Sequence, residues 1–166
     1  MSNFTITSPD FKEQDVLKKA HEFNDFDGDG QNRSPALHWQ GAPENAQSFA
    51  LTVYDPDAPT GSGFWHWVLY DIPANVTQLA QGAGSVDKTE LAGIGLQAQN
   101  DFGAIGFGGP CPPKGAPAHR YIFTLHALST PSLDLPASGV TNAVVRFMIH
   151  QNSLATATLT GLYQRP

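Results

Sequence analysis

The pattern of apolar and polar positions predicts a chain built mainly from β-strands. Three runs rich in β-branched and aromatic residues are bounded by Pro, Gly or Asp, and each is predicted to be a strand: residues 49–55, 65–72 and 119–128. Apolar residues occupy both alternate sets of positions in these runs, which is typical of central strands covered on both faces. A last, short strand is predicted over residues 157–163. The chain is therefore expected to have a mainly β fold around a buried sheet.

One helix is predicted near the C-terminus. Thr141 or Asn142 has a side chain suited to cap its first turn. Apolar residues then recur at helical spacing: Val144, Phe147, Met148 and Leu154 or Ala155. A shorter helix is indicated over residues 16–23, where the apolar periodicity is poorer. Strands therefore dominate the prediction.

Length and composition favour one domain over residues 1–166. The chain is 40% hydrophobic, which is enough to fill a core, and it has no internal repeat or linker. Charged residues make up 14% of the chain, against roughly 25% in an average soluble domain. With a net charge of −6 and nine Lys and Arg residues, the chain lacks the basic surface that nucleic-acid binding requires. Any anionic ligand must therefore be held by local donors rather than by overall charge.

The chain shows no sequence signal for export or for a membrane span. Its first residues lack a basic segment followed by an apolar run, so no signal peptide is predicted. No apolar stretch approaches the roughly 20 residues that a transmembrane helix needs. Cys111 is the only cysteine, so no intrachain disulfide can form. A cytoplasmic location is expected.

Four polar side chains stand at the ends of the predicted strands. Asp55 ends one strand and His66 begins the next, so a hairpin would bring both to the same edge of the sheet. His119 and Tyr121 begin a third strand and, two residues apart, point to the same face. A carboxylate, two imidazoles and a phenol are therefore expected around one cavity.

Such a set of side chains suits an anionic ligand. Imidazole, phenol and backbone N–H groups donate hydrogen bonds to phosphate, sulfate or carboxylate oxygens. Asp55 repels an anion on its own, but it can fix a histidine tautomer or accept a hydrogen bond from an ammonium group. A zwitterionic headgroup such as phosphoethanolamine offers a phosphate to the donors and an ammonium group to Asp55. Binding is expected to strengthen as the pH falls toward about 6.5, where histidines protonate. The alternative is that these residues only complete strand ends by hydrogen bonding.

Three local patterns resemble known sites but lack essential parts. Residues 25–30 follow the first half of an EF-hand calcium loop, yet Ala36 stands where the loop requires a bidentate Glu. Residues 106–110 resemble a glycine-rich phosphate loop without its Gly-Lys-Ser/Thr ending, so only a weaker anion contact through backbone amides is expected there. Cys111 has no helix N-terminus beside it to lower the pKa of its thiol, and it is interpreted as a structural residue.

Three ordered motifs resemble the phosphatidylethanolamine-binding protein family. They are Asp55-Pro-Asp-Ala-Pro59, Phe64-Trp-His-Trp-Val68, and Gly109-Pro-Cys-Pro-Pro-Lys-Gly115 followed by His119-Arg-Tyr121. The resemblance runs from about residue 4 to residue 165 and is to the bacterial Raf-kinase-inhibitor-like branch of the family. It implies two antiparallel sheets in a Greek-key β fold with a few short helices, one of them near the C-terminus.

The same resemblance implies a ligand pocket and a mode of action. The residues that it assigns to the pocket are Asp55, His66, His119 and Tyr121, lined by Pro59, Gly109 and Pro110. Family members bind phosphate-like groups and inhibit kinases or proteases, no reaction is generally accepted for them, and no cofactor is implied. The bacterial branch often forms homodimers. The loop over residues 56–64 is short compared with eukaryotic members, so inhibition of Raf is not inferred.

Three functions are compatible with these residues. The leading hypothesis is a non-catalytic protein that binds a phosphate headgroup such as phosphoethanolamine and acts as an inhibitor or regulator of a kinase or protease. The second is a metal-dependent hydrolase or oxygenase that uses His66, His119 and Asp55 as ligands, a set able to hold iron or zinc. The third is a pure protein–protein inhibitor whose pocket is vestigial.

Overall fold

The strands form two antiparallel sheets, as the family resemblance implies. A computed structural model describes residues 3–84, 86–87, 89–136 and 138–166. The larger sheet has six strands in the order β6-β7-β4-β3-β8-β9, and the smaller sheet has three in the order β1-β2-β5. The strands are β1 (Thr5–Thr7), β2 (Leu37–Gln40), β3 (Ser48–Asp55), β4 (Phe64–Pro73), β5 (Gln78–Leu79), β6 (Glu90–Leu91), β7 (Gly95–Gln97), β8 (His119–Leu128) and β9 (Ser153–Tyr163).

Strand β3 lies in the interior of the larger sheet, between β4 and β8. It pairs with β4 from Ser48 opposite Pro73 to Asp55 opposite Phe64, and it pairs along its other side with β8. The predicted hairpin between β3 and β4 is therefore confirmed. Because β4 and β8 both run antiparallel to β3, the end of β3 meets the beginnings of β4 and β8 at one edge of the sheet.

Both faces of the larger sheet are covered by apolar side chains. The main core lies between the two sheets and includes the fully buried Leu37, Leu51, Trp67 and Leu125. A second apolar cluster lies on the opposite face, where Ala50 and Val68 of the sheet pack against Val145 and Ile149 of the helix α1 (Asn142–Asn152). Two-sided burial explains why the central strands carry apolar residues at both alternate sets of positions.

The helix is shorter than its apolar pattern suggests. It begins where predicted: Thr141 is the N-cap, and its hydroxyl accepts a hydrogen bond from the Val144 amide. It ends at Asn152, so the prediction that Leu154 or Ala155 continues it was wrong. Both residues belong to β9, an eleven-residue strand that follows β8 along its whole length. The backbone bonds of that long ladder outweigh a local helical pattern. Among the described residues no helix is long and apolar enough to cross a membrane.

The shorter helix expected over residues 16–23 is reduced to a 3₁₀ turn over Lys19–His21. The residues before it lie along the outer edge of β9 instead. Val16 forms a parallel bridge with Leu162, the Leu17 amide donates to the carbonyl of Leu162, and the Gln14 amide donates to the carbonyl of Thr160. This segment therefore satisfies backbone groups at an edge that would otherwise be unpaired.

Replacing Thr141 by Ala should destabilise the protein by about 1 kcal/mol, because the N-cap hydroxyl is lost from the first turn of α1. Urea unfolding followed by circular dichroism measures this change. Thr141→Ser is the matched control, since it keeps the hydroxyl, and it should lie close to the wild type. Equal stabilities of the Ala and Ser variants would show that the cap does not contribute.

Candidate functional site

A β-bulge in β4 turns His66 toward the inside of the protein. The pairing of Val53 with Trp67 is followed directly by that of Tyr54 with Trp65, so His66 is the extra residue on β4. Strict alternation would place His66 on the face opposite to Trp67. The bulge instead directs its ring to the inner face, where the ring centroid lies 5.1 Å from that of Tyr121. Bulges beside functional sites commonly redirect a side chain in this way.

Asp55 and His119 form a buried hydrogen-bonded pair across β3 and β8. The Asp55 carboxylate oxygen Oδ2 lies 2.7 Å from His119 Nδ1, and the two residues are 2% and 6% exposed. The other carboxylate oxygen accepts a hydrogen bond from the amide of Asp57 at 2.8 Å. A buried carboxylate is costly unless it is paired, and both of its oxygens are occupied here. His119 therefore has only Nε2 left for a ligand.

His66 is a neutral imidazole that donates a hydrogen bond from Nδ1 to the backbone and has only an acceptor, Nε2, left for a ligand. Its Nδ1 lies 2.8 Å from the carbonyl oxygen of Gly108, and since a carbonyl only accepts, Nδ1 must carry the proton. Burial lowers the pKa of His66 to about 4. At neutral pH its Nε2 therefore presents a lone pair, to which no other described residue donates. The expectation that both imidazoles donate to an anion is corrected for His66.

Tyr121 supplies a hydrogen-bond donor. Tyr121 is 1% exposed, and its side chain points to the same face of β8 as that of His119. Burial raises the pKa of Tyr121, and the negative charge of Asp55 raises it further. The phenol is therefore protonated throughout the physiological range.

These side chains surround a small cavity at the edge of the larger sheet. Its volume is about 180 Å³, below the roughly 300–1,000 Å³ of pockets that enclose drug-sized ligands. The structure brings together five of the seven residues that the sequence and its resemblance indicated. The lining residues are Asp55, Ala58, Pro59, Thr60, Phe64, His66, Phe102, Cys111, Pro112, Pro113, His119 and Tyr121. The space suits a headgroup-sized ligand.

Gly109 and Pro110 lie behind the cavity rather than in its wall, contrary to expectation. The Gly109 amide donates to Asn32 Oδ1 at 2.7 Å, so it is not available to an anion. A Cβ on Gly109 would lie 1.9 Å from the carbonyl oxygen of His21, which explains why glycine is required. The Pro110 carbonyl accepts from the Phe23 amide at 3.0 Å. Both residues hold the loop behind the site in place.

Pro59 was expected in the wall, but Phe64, Phe102, Pro112 and Pro113 were not. Phe102 stacks on Phe23 with ring centroids 3.9 Å apart and meets Phe64 edge-on at 4.6 Å. Cys111 is half-buried, its thiol lies 3.5 Å from the carbonyl oxygen of Phe26, and burial raises its pKa. Phe102 lies in an irregular loop, so no strand or helix pattern places it at the cavity. Its position depends on contacts with distant residues.

The structure gives the acidic loop over residues 25–30 the role of a polar turn. Asp25 Oδ1 accepts from the next amide, that of Phe26, at 2.8 Å. Asp27 pairs with Lys114 at 3.0 Å, and Asp29 pairs with Lys19. In the part of the chain that the structure describes, no three His, Cys, Asp or Glu side chains are grouped so that they could hold a metal ion. Neither the acidic loop nor the set of His66, His119 and Asp55 forms such a group.

An ion pair fixes the rim beside His119. Arg120 Nε and Nη2 each donate to the Asp57 carboxylate at 2.9 Å, and the Arg120 amide donates to it at the same distance. The hydrogen bonds from Arg120 lower the pKa of Asp57 to about 2. This pair ties the loop between β3 and β4 to the beginning of β8. It thereby positions the Asp57 amide that binds Asp55.

Comparison with known proteins gives consistent relatives. The family model described as phosphatidylethanolamine-binding protein matches residues 7–164. The chain is 47% identical over 161 residues to the UPF0098 protein YbcL of Escherichia coli, covering 97% of this chain and 87% of YbcL. It is 45% identical over 158 residues to E. coli YbhB, covering 95% and 98%.

Solved structures agree with these sequence matches. The crystal structure of E. coli YbcL superposes with a TM-score of 0.94 at 46% identity, covering 99% of this chain and 100% of that one. A homologue from Chlamydia trachomatis superposes with a TM-score of 0.82 at 29% identity and full coverage of both chains.

Replacing Arg120 by Met should raise the pKa of Asp57 from about 2 toward its ordinary value of 3.8. Because the pKa is depressed in the folded state, the pair stabilises the protein above pH 3.8 and loses this effect as the pH falls toward 2. Carboxyl NMR titration measures the pKa. Arg120→Lys keeps the charge without the bidentate geometry and should give an intermediate value. An unchanged Asp57 pKa in the Met variant would contradict the assignment.

Proposed function

This chain belongs to the phosphatidylethanolamine-binding protein family, and we propose that it binds small phosphate-bearing ligands, such as phosphoethanolamine, in the cavity at the edge of the larger sheet. The observation that carries the proposal is the buried polar set of Asp55, His66, His119 and Tyr121 around a headgroup-sized space. Isolated buried polar groups are costly, so a set whose remaining donors and acceptors converge on one cavity favours a ligand there.

Two groups in the cavity can donate to the oxygens of a phosphate. The Tyr121 hydroxyl is one, because its raised pKa keeps it protonated. The other is His119 Nε2 when that nitrogen carries a proton, since Nδ1 faces Asp55 Oδ2 at 2.7 Å and is not available to a ligand. Hydrogen bonds to an oxyanion are shorter and stronger than those between neutral groups.

The lone pair on His66 Nε2 is a hydrogen-bond acceptor, so it requires a donor on the ligand. A phosphomonoester in its monoanionic form carries one P–O–H group, and phosphoethanolamine carries an ammonium group as well. A sulfate ester has no proton to donate. The cavity should therefore prefer a protonated phosphate to a sulfate of the same charge and shape, because sulfate would leave the imidazole nitrogen unpaired.

We propose binding rather than turnover. The Cys111 thiol is held protonated by its raised pKa, and the Asp55 carboxylate is engaged on both oxygens, so neither is arranged as a nucleophile. The metal-dependent alternative has no grouping of three ligand side chains among the described residues to support it. Regulation of a kinase or protease, homodimer formation and a cytoplasmic location stay predictions, as does the pure inhibitor with a vestigial pocket.

Methyl phosphate and methyl sulfate test the preference at equal charge. At pH 5 both are monoanions, since the second pKa of a phosphomonoester is about 6, but only methyl phosphate carries a proton donor. We expect methyl phosphate to bind about tenfold more tightly, which corresponds to one hydrogen bond of about 1.4 kcal/mol. Isothermal titration calorimetry measures both affinities. Equal affinities would overturn the role given to His66.

The variant His66→Phe is the matched control for this comparison. Phenylalanine keeps an aromatic ring of similar size but has no lone pair, so the preference for methyl phosphate should disappear. Dispersion of the amide NMR spectrum confirms that the variant is folded. A preference that persists in this variant would assign the discrimination to another group.

Histidine NMR shifts under titration with phosphoethanolamine test the binding function itself. We expect saturable shifts at His66 and His119 in the wild type and loss of the His66 shift in His119→Ala, because that variant removes the Nε2 group that faces the ligand. His38→Ala, an exposed position on β2, should titrate like the wild type. Absence of shifts up to millimolar ligand would remove the basis of the proposal.

A further inference from the structure

The outer edge of the larger sheet is formed by β9, and the chain itself covers one end of that edge. Successive residues of a strand direct their backbone N–H and C=O groups alternately to one side and the other. The carbonyls of Thr160 and Leu162 accept from the amides of Gln14 and Leu17, which lie outside the sheet. The even-numbered residues of β9 therefore direct their backbone groups away from β8.

The other end of the edge presents backbone groups without partners. The ladder between β8 and β9 is regular from Ala155 onward, so the same alternation directs the N–H and C=O groups of Thr156 and Thr158 outward. None of the backbone hydrogen bonds among the described residues involves these outward groups. The next outward amide, that of Thr160, is bound by the Glu13 carboxylate at 3.1 Å. Two donors and two acceptors therefore repeat at a spacing of about 7 Å, two residues of a strand.

The open part of this edge carries no feature that would prevent pairing with another strand. Proteins commonly protect open edges with Lys or Pro residues or with bulges. Residues 153–159 include no Pro and no charged residue, and the one irregularity of the β8–β9 ladder lies before Ala155. Thr156 and Thr158 are exposed. The edge is therefore regular and accessible exactly where its backbone groups are free.

A groove beside these groups can hold the side chains of an added strand. It has a volume of about 530 Å³ and lies between β9 and β1, the edge strand of the smaller sheet. Ile6, Phe11 and Leu159 contribute apolar surface to its lining. Lys12 also lines the groove and is exposed, and the ion pairs among the described residues use other lysines. The groove therefore suits apolar side chains with a carboxylate beside them.

We propose that this edge of β9 is a docking site for an extended peptide segment of a partner protein, one that combines alternating β-branched residues with an acidic residue. An extended backbone offers donors and acceptors at the spacing of those on Thr156 and Thr158. The chain's own residues 14–17 already bind the adjacent positions of the same edge through their backbone. The acidic residue of the peptide pairs with Lys12.

The pentapeptide acetyl-Glu-Val-Thr-Val-Thr-amide is the probe for this site. We expect it to cause saturable NMR shifts at the backbone amides of Thr156 and Thr158. The same peptide with Lys in place of Glu should bind several-fold more weakly because it would face Lys12. Equal affinities of the two peptides, or no shifts with either, would overturn the proposal. Shifts of these amides with protein concentration alone would overturn it in favour of a second copy of the chain.

N-methylated forms of the pentapeptide test whether its backbone makes the contact. One form is methylated at both Val amides and the other at both Thr amides. Only one alternate set of amides in an extended peptide faces β9, so one form should lose at least about tenfold in affinity and the other should bind like the parent. Equal affinities of the two forms would overturn the proposal, and this comparison uses the wild-type protein.

The variant Thr158→Pro removes one outward N–H group and leaves the bonds to β8 in place. We expect its affinity for the pentapeptide to fall about fivefold, the loss of one hydrogen bond. Thr158→Val is the matched control, because it keeps the amide and the branched side chain, and it should bind like the wild type. Phosphoethanolamine should bind all three proteins equally, which shows that the variants are folded. Unchanged affinity of the Pro variant for the pentapeptide would overturn the proposal.

Discussion

The antiparallel pairing of β3 with both β4 and β8 is the constraint on which the rest of this structure depends. It brings the last residue of β3, Asp55, beside the first residues of β4 and β8. The β8 pairing also fixes the alternation that sends Tyr121 and His119 to the same inner face. Without this arrangement the carboxylate would lack its histidine, and a buried, unpaired carboxylate costs several kcal/mol. The pairing of the strands therefore also brings the Asp55 carboxylate and the His119 imidazole together.

The two imidazoles of the cavity at the sheet edge have different partners. His66 has a backbone carbonyl as its partner, and burial outweighs the attraction of Asp55 and holds the ring neutral. His119 has the Asp55 carboxylate as its partner, 2.7 Å from Nδ1. Towards the cavity, His66 therefore presents an acceptor, while the Tyr121 hydroxyl, kept protonated by its raised pKa, is a donor. Under the proposed function, a cavity with both an acceptor and a donor would distinguish ligands by their protons as well as by their charge. Long-range attraction cannot do this in a chain with a net charge of −6.

The two faces of the larger sheet are used differently. The inner face carries the main core and, at its edge, the cavity proposed to bind phosphate. The outer face carries α1 and the smaller apolar cluster. The bulge at His66 connects the two arrangements, because it changes which residues of β4 face inward: Trp65 packs outward under Arg146 of α1, and His66 faces the cavity. The single extra residue thus lets Trp65 face outward while His66 faces inward.

Local patterns determined the strand content, the start of α1 and the four polar residues at strand ends, because hydrophobic periodicity, turn residues and caps act within a few residues of one another. Asp55, His119 and Tyr121 were predictable on this basis, and the motifs around them identified the family. The tertiary structure alone decided the rest. The bulge at His66 depends on register with β3, and the positions of Phe102 and Gly109 depend on contacts with residues far away in sequence. The protonation of His66 depends on burial and on the Gly108 carbonyl, 42 residues away. Interactions of that range leave no periodic trace in the sequence.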